Sequence, residues 1–173
     1  MKKKAIIISL KGYKLSNKEK LLLSNESPWG VILFKRNIKS LNQIQYLISR
    51  IKKLTKDKYL PILIDEEGAT VSRLSNIINN NISANFFGNL YLKNNKLGIK
   101  LYKNYLNLIC KNLKNIGVNI NTVPVLDILR RNTNKVIGNR SFSDNKEIVK
   151  KLGSLTVKQC RANKIISVIK HIP

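Results

Sequence analysis

The chain is poor in the residues on which many kinds of site depend. It has one histidine, His171, which excludes a histidine-rich metal centre. Its two cysteines, Cys110 and Cys160, stand fifty positions apart without metal-ligand spacing, which excludes a zinc cluster or a disulfide framework. Both read as small apolar core residues in a reduced compartment. Prolines number only 4 while 43% of residues are hydrophobic, so the 173 residues suit one folded domain with a real core rather than a disordered chain. No run approaches the roughly 20 apolar residues that a membrane helix needs. The opening Met1-Lys-Lys-Lys-Ala-Ile-Ile-Ile-Ser-Leu10 is basic then apolar, but its apolar run is too short for a signal peptide and reads as a first strand. No Gly-x-Gly-x-x-Gly or Walker pattern occurs, which argues against a nucleotide-binding sheet. Neither metal nor cofactor is expected.

Acid is equally scarce. Nine Asp and Glu face 33 Lys and Arg, for a formal charge of +24. Such a balance ordinarily points to nucleic acid or an anionic membrane. Here 26 of the basic residues are Lys and only 7 are Arg, whereas phosphate and base forks favour Arg. Lys, Asn and Ile together make 73 of the 173 residues, a bias that A/T-rich codons generate. The lysines are spread along the chain without interleaved aromatics, so a solvated surface is the expectation and nucleic acid is not the expected partner.

Against that scarcity, three acids stand side by side in Pro61-Ile-Leu-Ile-Asp-Glu-Glu-Gly68. Adjacent like charges repel, and a short apolar run delivers Asp65, Glu66 and Glu67 to a point where glycine breaks the pattern. That places polar chemistry at the carboxyl end of a buried strand, where α/β proteins build sites.

Short β-branched runs alternate with longer helical patterns. Strands are expected over 5–9, 31–34, 61–64, 118–126 and 165–169. Helices are expected over 41–54, with Ser40 as N-cap, over 96–116, stopped by Gly117, and over 144–162, with Asp144 as N-cap. Residues 75–89, rich in Asn and Ser, and 130–143 read as long loops, which in compact domains are often functional. The order suits parallel crossovers, and the polar residues at strand exits (Asp65, Asp127, Lys170 and His171) fit the functional face of a TIM barrel. The expected fold class is therefore α/β: the N-terminal part, about five βα units, of a barrel that needs eight strands and typically about 250 residues.

Four stretches then resemble a known family in its own order. They are Gly30-Val-Ile-Leu-Phe-Lys-Arg-Asn37; Ile64-Asp-Glu-Glu-Gly-Ala-Thr-Val-Ser-Arg73; Val123-Pro-Val-Leu-Asp127 with Val136-Ile-Gly-Asn-Arg-Ser-Phe142; and Lys170-His171-Ile172-Pro173. Together they resemble the N-terminal barrel of family-three glycoside hydrolases, most closely the bacterial β-N-acetylhexosaminidases of peptidoglycan recycling. On that resemblance, residues 1–173 are the N-terminal portion of a family-three barrel domain. Ala69 replaces the family's second glycine and Thr70 a position often held by Arg. An alanine there is strained if the backbone needs positive φ.

The resemblance implies that Asp65, Arg73, Arg140, Lys170 and His171 bind substrate. The residue types suit a sugar, since a carboxylate accepts from two hydroxyls while Arg and Lys donate to hydroxyl and carbonyl oxygens. Asp127 is expected to hold a loop or support the site, and Glu66 and Glu67 to shape the strand exit. The implied reaction is retaining hydrolysis of terminal β-linked N-acetylglucosamine from muropeptides in the cytoplasm. Such chemistry needs two groups flanking the bond, roughly 5 Å apart. Asp65 and Glu67 share a face at i and i+2 but would approach from one side only. The family's histidine acid/base and aspartate nucleophile are implied to lie beyond Pro173, so this chain alone is expected to be inactive. Its open sheet is expected to self-associate or to require a missing C-terminal half. The competing expectation is a non-catalytic basic domain that binds sugar or a polyanion such as nucleic acid.

Overall fold

The computed structural model describes residues 3–172; Met1, Lys2 and the Pro173 of the Lys-His-x-Pro motif lie outside the described residues. Five parallel strands form the main sheet: β1 (Lys4–Ser9), β2 (Pro28–Leu33), β3 (Ile62–Ile64), β6 (Ile120–Asn121) and β7 (Ile166–Ser167), adjacent in that order. A two-stranded antiparallel hairpin, β4 (Glu66–Gly68) and β5 (Val71–Ser72), rises directly from the end of β3. The helices are α1 (Asn17–Asn25), α2 (Leu41–Leu54), α3 (Ala84–Lys93), α4 (Asn95–Ile116) and α5 (Lys146–Ala162). The expected α/β chain with five strands of parallel sheet is what forms.

One core lies between the sheet and two helices. Val31, Leu33, Ile62 and Ile64 alternate toward Ile44, Ile48 and Ile51 of α2 and Leu113 of α4, all buried. A second cluster joins α3, α4 and α5 through Phe87, Tyr102, Leu106, Phe142, Ile148 and Leu152. Cys110 and Cys160 are buried free thiols 3.8 Å apart across α4 and α5, as core residues should be.

Local chemistry explains most boundaries. Ser40 accepts a hydrogen bond from the Gln43 N–H to start α2, and Gly117 ends α4 at φ +94°. α5 starts later than expected: Asn145, not Asp144, accepts from the Glu147 N–H as the cap. Two helices escaped the apolar pattern. α1 has three consecutive leucines, of which only Leu23 is buried, and is held by a capping box between Ser16 and Glu19. α3 occupies part of the expected 75–89 loop, capped by Ser83 and anchored by Phe87.

Both edges of the sheet carry bare apolar side chains: Ile6 and Ile7 of β1 are 46% and 47% exposed and Ile166 of β7 is 61% exposed. An unpaired edge with exposed isoleucines recruits further strands. The 173-residue chain should therefore self-associate as its concentration rises in analytical ultracentrifugation. A single monomeric species across the range would overturn that expectation.

Candidate functional site

Because the strands run parallel, their carboxyl ends share one edge of the sheet. Asp65 follows β3 there and Thr122 follows β6. Lys170 is brought in by an extension of the β6–β7 ladder, where Val125 pairs with Lys170, the Lys170 N–H donates to Pro124 O at 3.1 Å and the Leu126 N–H to Lys170 O at 2.6 Å. The Val123–Pro124 and Lys170–His171 peptide bonds are cis.

The structure gathers all five predicted side chains into one network. Arg73 Nη2 donates to Asp65 Oδ2 at 3.1 Å and Lys170 Nζ to Asp65 Oδ1 at 3.2 Å. Lys170 also meets Glu67 Oε1 at 2.6 Å and donates to Thr122 Oγ1 at 3.0 Å, and the Thr122 hydroxyl donates to Asp65 Oδ1. Arg140, on the short helical turn Gly138–Arg140, grips Glu67 with two donors at 2.7 and 3.0 Å. Its Nη2 lies 3.5 Å from His171 Nε2, and His171 Nδ1 lies 2.7 Å from Asp127 Oδ2. Arg73 further stacks near the Phe34 ring, 5.6 Å from its centre.

Asp65, Glu67 and Asp127 thus face Arg73, Arg140 and Lys170, three charges of each sign. Burial alone would push the Asp65 carboxyl up. The Thr122 hydroxyl, the Lys170 charge and the Arg73 guanidinium outweigh it and hold Asp65 below the ordinary carboxylate value, so it is ionised at neutral pH. The hydrogen bonds from Arg140 to Glu67 push the guanidinium further up against the cost of burial.

The acidic triplet divides. Its period-two alternation sends Asp65 and Glu67 toward the cations and Glu66 into the protein. Glu66 is 2% exposed, and its carboxylate accepts from Ser72 Oγ (2.8 Å), the Arg73 N–H (2.9 Å), the Leu74 N–H (3.0 Å) and Asn80 Nδ2 (2.6 Å). The Asn121 side chain pins its backbone on both sides, at 3.0 Å each. Glu66 shapes the strand exit, as expected. Glu67 does something else, serving as the acceptor that fixes Arg140 and Lys170.

The turn that follows confirms the suspicion about Ala69, whose φ is +40° next to Gly68 at +104°. A side chain on Gly68 would meet Ile82 O at 2.2 Å and Tyr105 Oη at 2.7 Å, so the turn cannot shift its demand for positive φ to a neighbour easily. The Ala69 N–H donates to Asn80 O at 2.8 Å, and Thr70 Oγ1 donates to Asn139 Oδ1 at 2.8 Å, tying the turn to the Arg140 segment. Ala69→Gly should therefore raise stability by about 1 kcal/mol, the left-handed penalty less glycine's chain entropy. A urea midpoint unchanged or lowered would contradict it.

Thr122, Asn121 and Asn80 were not anticipated. The available signal was polar residues, Asn121 and Thr122, inside an otherwise apolar strand pattern, where burial requires hydrogen-bond partners. A cleft of about 830 Å³, bounded by Asp127, Arg130, Val136, Arg140 and His171, adjoins the network and has the volume of a small-molecule site. Among the described residues no group of three or more His, Cys, Asp or Glu could hold a metal ion, and no helix is long and apolar enough to cross a membrane.

A family model described as the glycosyl hydrolase family 3 N terminal domain matches residues 2–173. The beta-hexosaminidase of Hydrogenovibrio crunogenus is 34% identical over 168 residues, which cover 97% of this chain and 46% of that protein. The crystal structure of native NagZ from Neisseria gonorrhoeae superposes with a TM-score of 0.89 at 28% identity, over 97% of this chain and 49% of that one. The same protein in complex with N-trifluoroacetyl-D-glucosamine gives a TM-score of 0.87. The chain spans about half the length of the relatives it matches.

Proposed function

Because this chain belongs to glycosyl hydrolase family 3, we propose that its charge network is the substrate grip of a β-N-acetylhexosaminidase. In this reading residues 1–173 are the N-terminal portion of the family's barrel domain, and Asp65, Arg73, Arg140, Lys170 and His171 hold the hydroxyl and carbonyl groups of a terminal β-linked N-acetylglucosamine. The substrate would be a peptidoglycan fragment and the compartment the cytoplasm, which the two unbridged buried thiols support. The observation that carries the proposal is the meeting of five side chains in one network, four of them gathered around the ionised Asp65 carboxylate and its neighbours.

The geometry supports a role for each of these residues within this reading. Asp65 is fixed by three partners and keeps an ionised carboxylate half-sheltered from water, where its hydrogen bonds to hydroxyl groups strengthen. Arg140 and Lys170 are preorganised by Glu67, so little side-chain entropy is lost when a ligand arrives. In this reading the acid/base and nucleophile belong to residues outside the chain. The chain would bind sugar without turning it over.

Calorimetric titration with N-acetylglucosamine tests this directly. The chain should bind it, and Asp65→Ala should weaken binding about 100-fold, the equivalent of two charge-assisted hydrogen bonds. No release of aryl alcohol from an aryl N-acetylglucosaminide is expected. Binding of a DNA oligomer with no sugar binding would replace this reading with that of a polyanion-binding domain, and turnover by the isolated chain would refute the division of labour.

A further inference from the structure

His171 is the chain's one histidine, and its two ring nitrogens face partners of opposite character. Nδ1 sits 2.7 Å from Asp127 Oδ2, and an ionised carboxylate can only accept. Nε2 sits 3.5 Å from Arg140 Nη2, and a guanidinium can only donate. Arg140 is itself held in place by its two-donor grip on Glu67 and a weaker bond to Val136 O at 3.4 Å. A single ring state satisfies both ends: neutral, with the proton on Nδ1. The opposite tautomer would leave Asp127 without a donor and set an N–H against the Arg140 N–H, and the imidazolium would keep that second conflict.

We infer that Asp127 is the positioning residue of this site: it fixes the His171 imidazole as the Nδ1–H tautomer and so leaves Nε2 as the acceptor that meets Arg140 beside the cleft. A neutral histidine side chain in water favours the proton on Nε2, so the protein must supply the bias, and Asp127 is placed to do so by the backbone. The Val125–Lys170 pairing sets Asp127 beside His171, and Ser141 Oγ donates to Asp127 O at 2.5 Å, anchoring the residue from the Arg140 segment. Both Asp127 and His171 border the 830 Å³ cleft. The other charged groups around the ring are Arg140, Lys170 as its chain neighbour, and Arg130 across the cleft.

A ligand that displaces the long Arg140 contact meets an acceptor there and so must donate, as a hydroxyl does and a carboxylate or carbonyl oxygen does not. That consequence rests on the sugar-site reading above; the tautomer assignment does not.

The experiment is long-range proton–nitrogen correlation NMR of the 15N-labelled chain at a pH well above the ordinary histidine value of about 6.5, where one ring gives one pattern. The expected wild-type spectrum has a protonated Nδ1 and an unprotonated Nε2. Asp127→Asn keeps a carbonyl oxygen able to accept from Nδ1–H and should retain the pattern. Asp127→Ala should relax toward the Nε2–H form of a solvated histidine side chain and weaken N-acetylglucosamine binding about tenfold, while Asp127→Asn stays within about threefold of wild type. A wild-type ring already in the Nε2–H form, or an unchanged ring in Asp127→Ala, overturns the proposal. Should Asp127→Ala fail to fold, the wild-type and Asp127→Asn spectra still decide the tautomer. If the Nδ1–H form is found but neither wild type nor variant binds the sugar, the sugar reading falls and the positioning of His171 stands.

Discussion

Glu66→Ala is expected to cost about 4 kcal/mol of folding stability, a large share of what a single domain has. Each carboxylate oxygen of Glu66 accepts two hydrogen bonds: Oε1 from Ser72 and Asn80 side chains, Oε2 from the Arg73 and Leu74 backbone. The carboxylate is buried, so no water stands ready to replace it. Truncation leaves four donors facing a void, and a buried donor without a partner costs about 1–3 kcal/mol. The damage is also local to the site, because two of those donors are the backbone of Arg73 and its neighbour. Glu66→Gln should cost about 2 kcal/mol, since the amide turns one of its two acceptor positions into a donor aimed at donors. Urea unfolding reads both, with midpoint shifts of about 2 M and 1 M for a typical slope of about 2 kcal/mol per molar. A shift below about 0.5 M for Glu66→Ala would show that the loop holds itself without this residue.

Gly88→Ala is expected to be the next most damaging change, against the ordinary rule for helices. In the interior of α3 alanine is favoured over glycine by about 1 kcal/mol. Here a methyl group would sit 1.8 Å from Phe142 O and 2.8 Å from its carbonyl carbon, both backbone atoms that no rotamer change moves aside. Phe142 is itself buried and packs edge-to-face on Tyr102, with ring centres 5.7 Å apart. Either α3 or the 140–142 segment must shift, and overpacking of this kind costs about 3 kcal/mol or more, which exceeds the propensity gain. A net loss of about 2 kcal/mol should lower the melting temperature by roughly 4–8 °C. Since Arg140 lies two residues before Phe142, N-acetylglucosamine affinity should fall in parallel. A melting temperature that rises would mean that propensity wins and that the close approach is absent in solution.

These two positions show where sequence patterns carry information and where they do not. Leu41–Leu54 forms as its apolar spacing and Ser40 require, and α4 stops at Gly117, because caps and periodicity are local properties. α1 and α3 lack a clean apolar stripe, so pattern reading passes over them; Ser16 with Glu19, and Ser83 with Phe87, were their only marks. The five residues proposed to grip substrate were legible only as a resemblance, since Asp65 and Lys170 are 105 positions apart. Nothing local announces their contact. Thr122, which joins them, looks like any strand threonine until β6 is seen beside β3.

The order of strands and helices, the acid-poor composition and the place of Asp65-Glu66-Glu67 at a strand exit were determined by the chain itself. They follow from hydrophobic periodicity, capping and glycine, which act over a few residues. Which carboxylate of the three became structural was decided by the tertiary structure. The same holds for the acceptor that holds Arg140 and Lys170, and for the hydroxyl that joins Asp65 to Lys170. Parallel pairing across the sheet brought up Thr122 and Lys170, a loop brought up Arg140, and the β4–β5 turn with Asn80 supplied the donors of Glu66, because burial leaves a charge stable only where donors meet it.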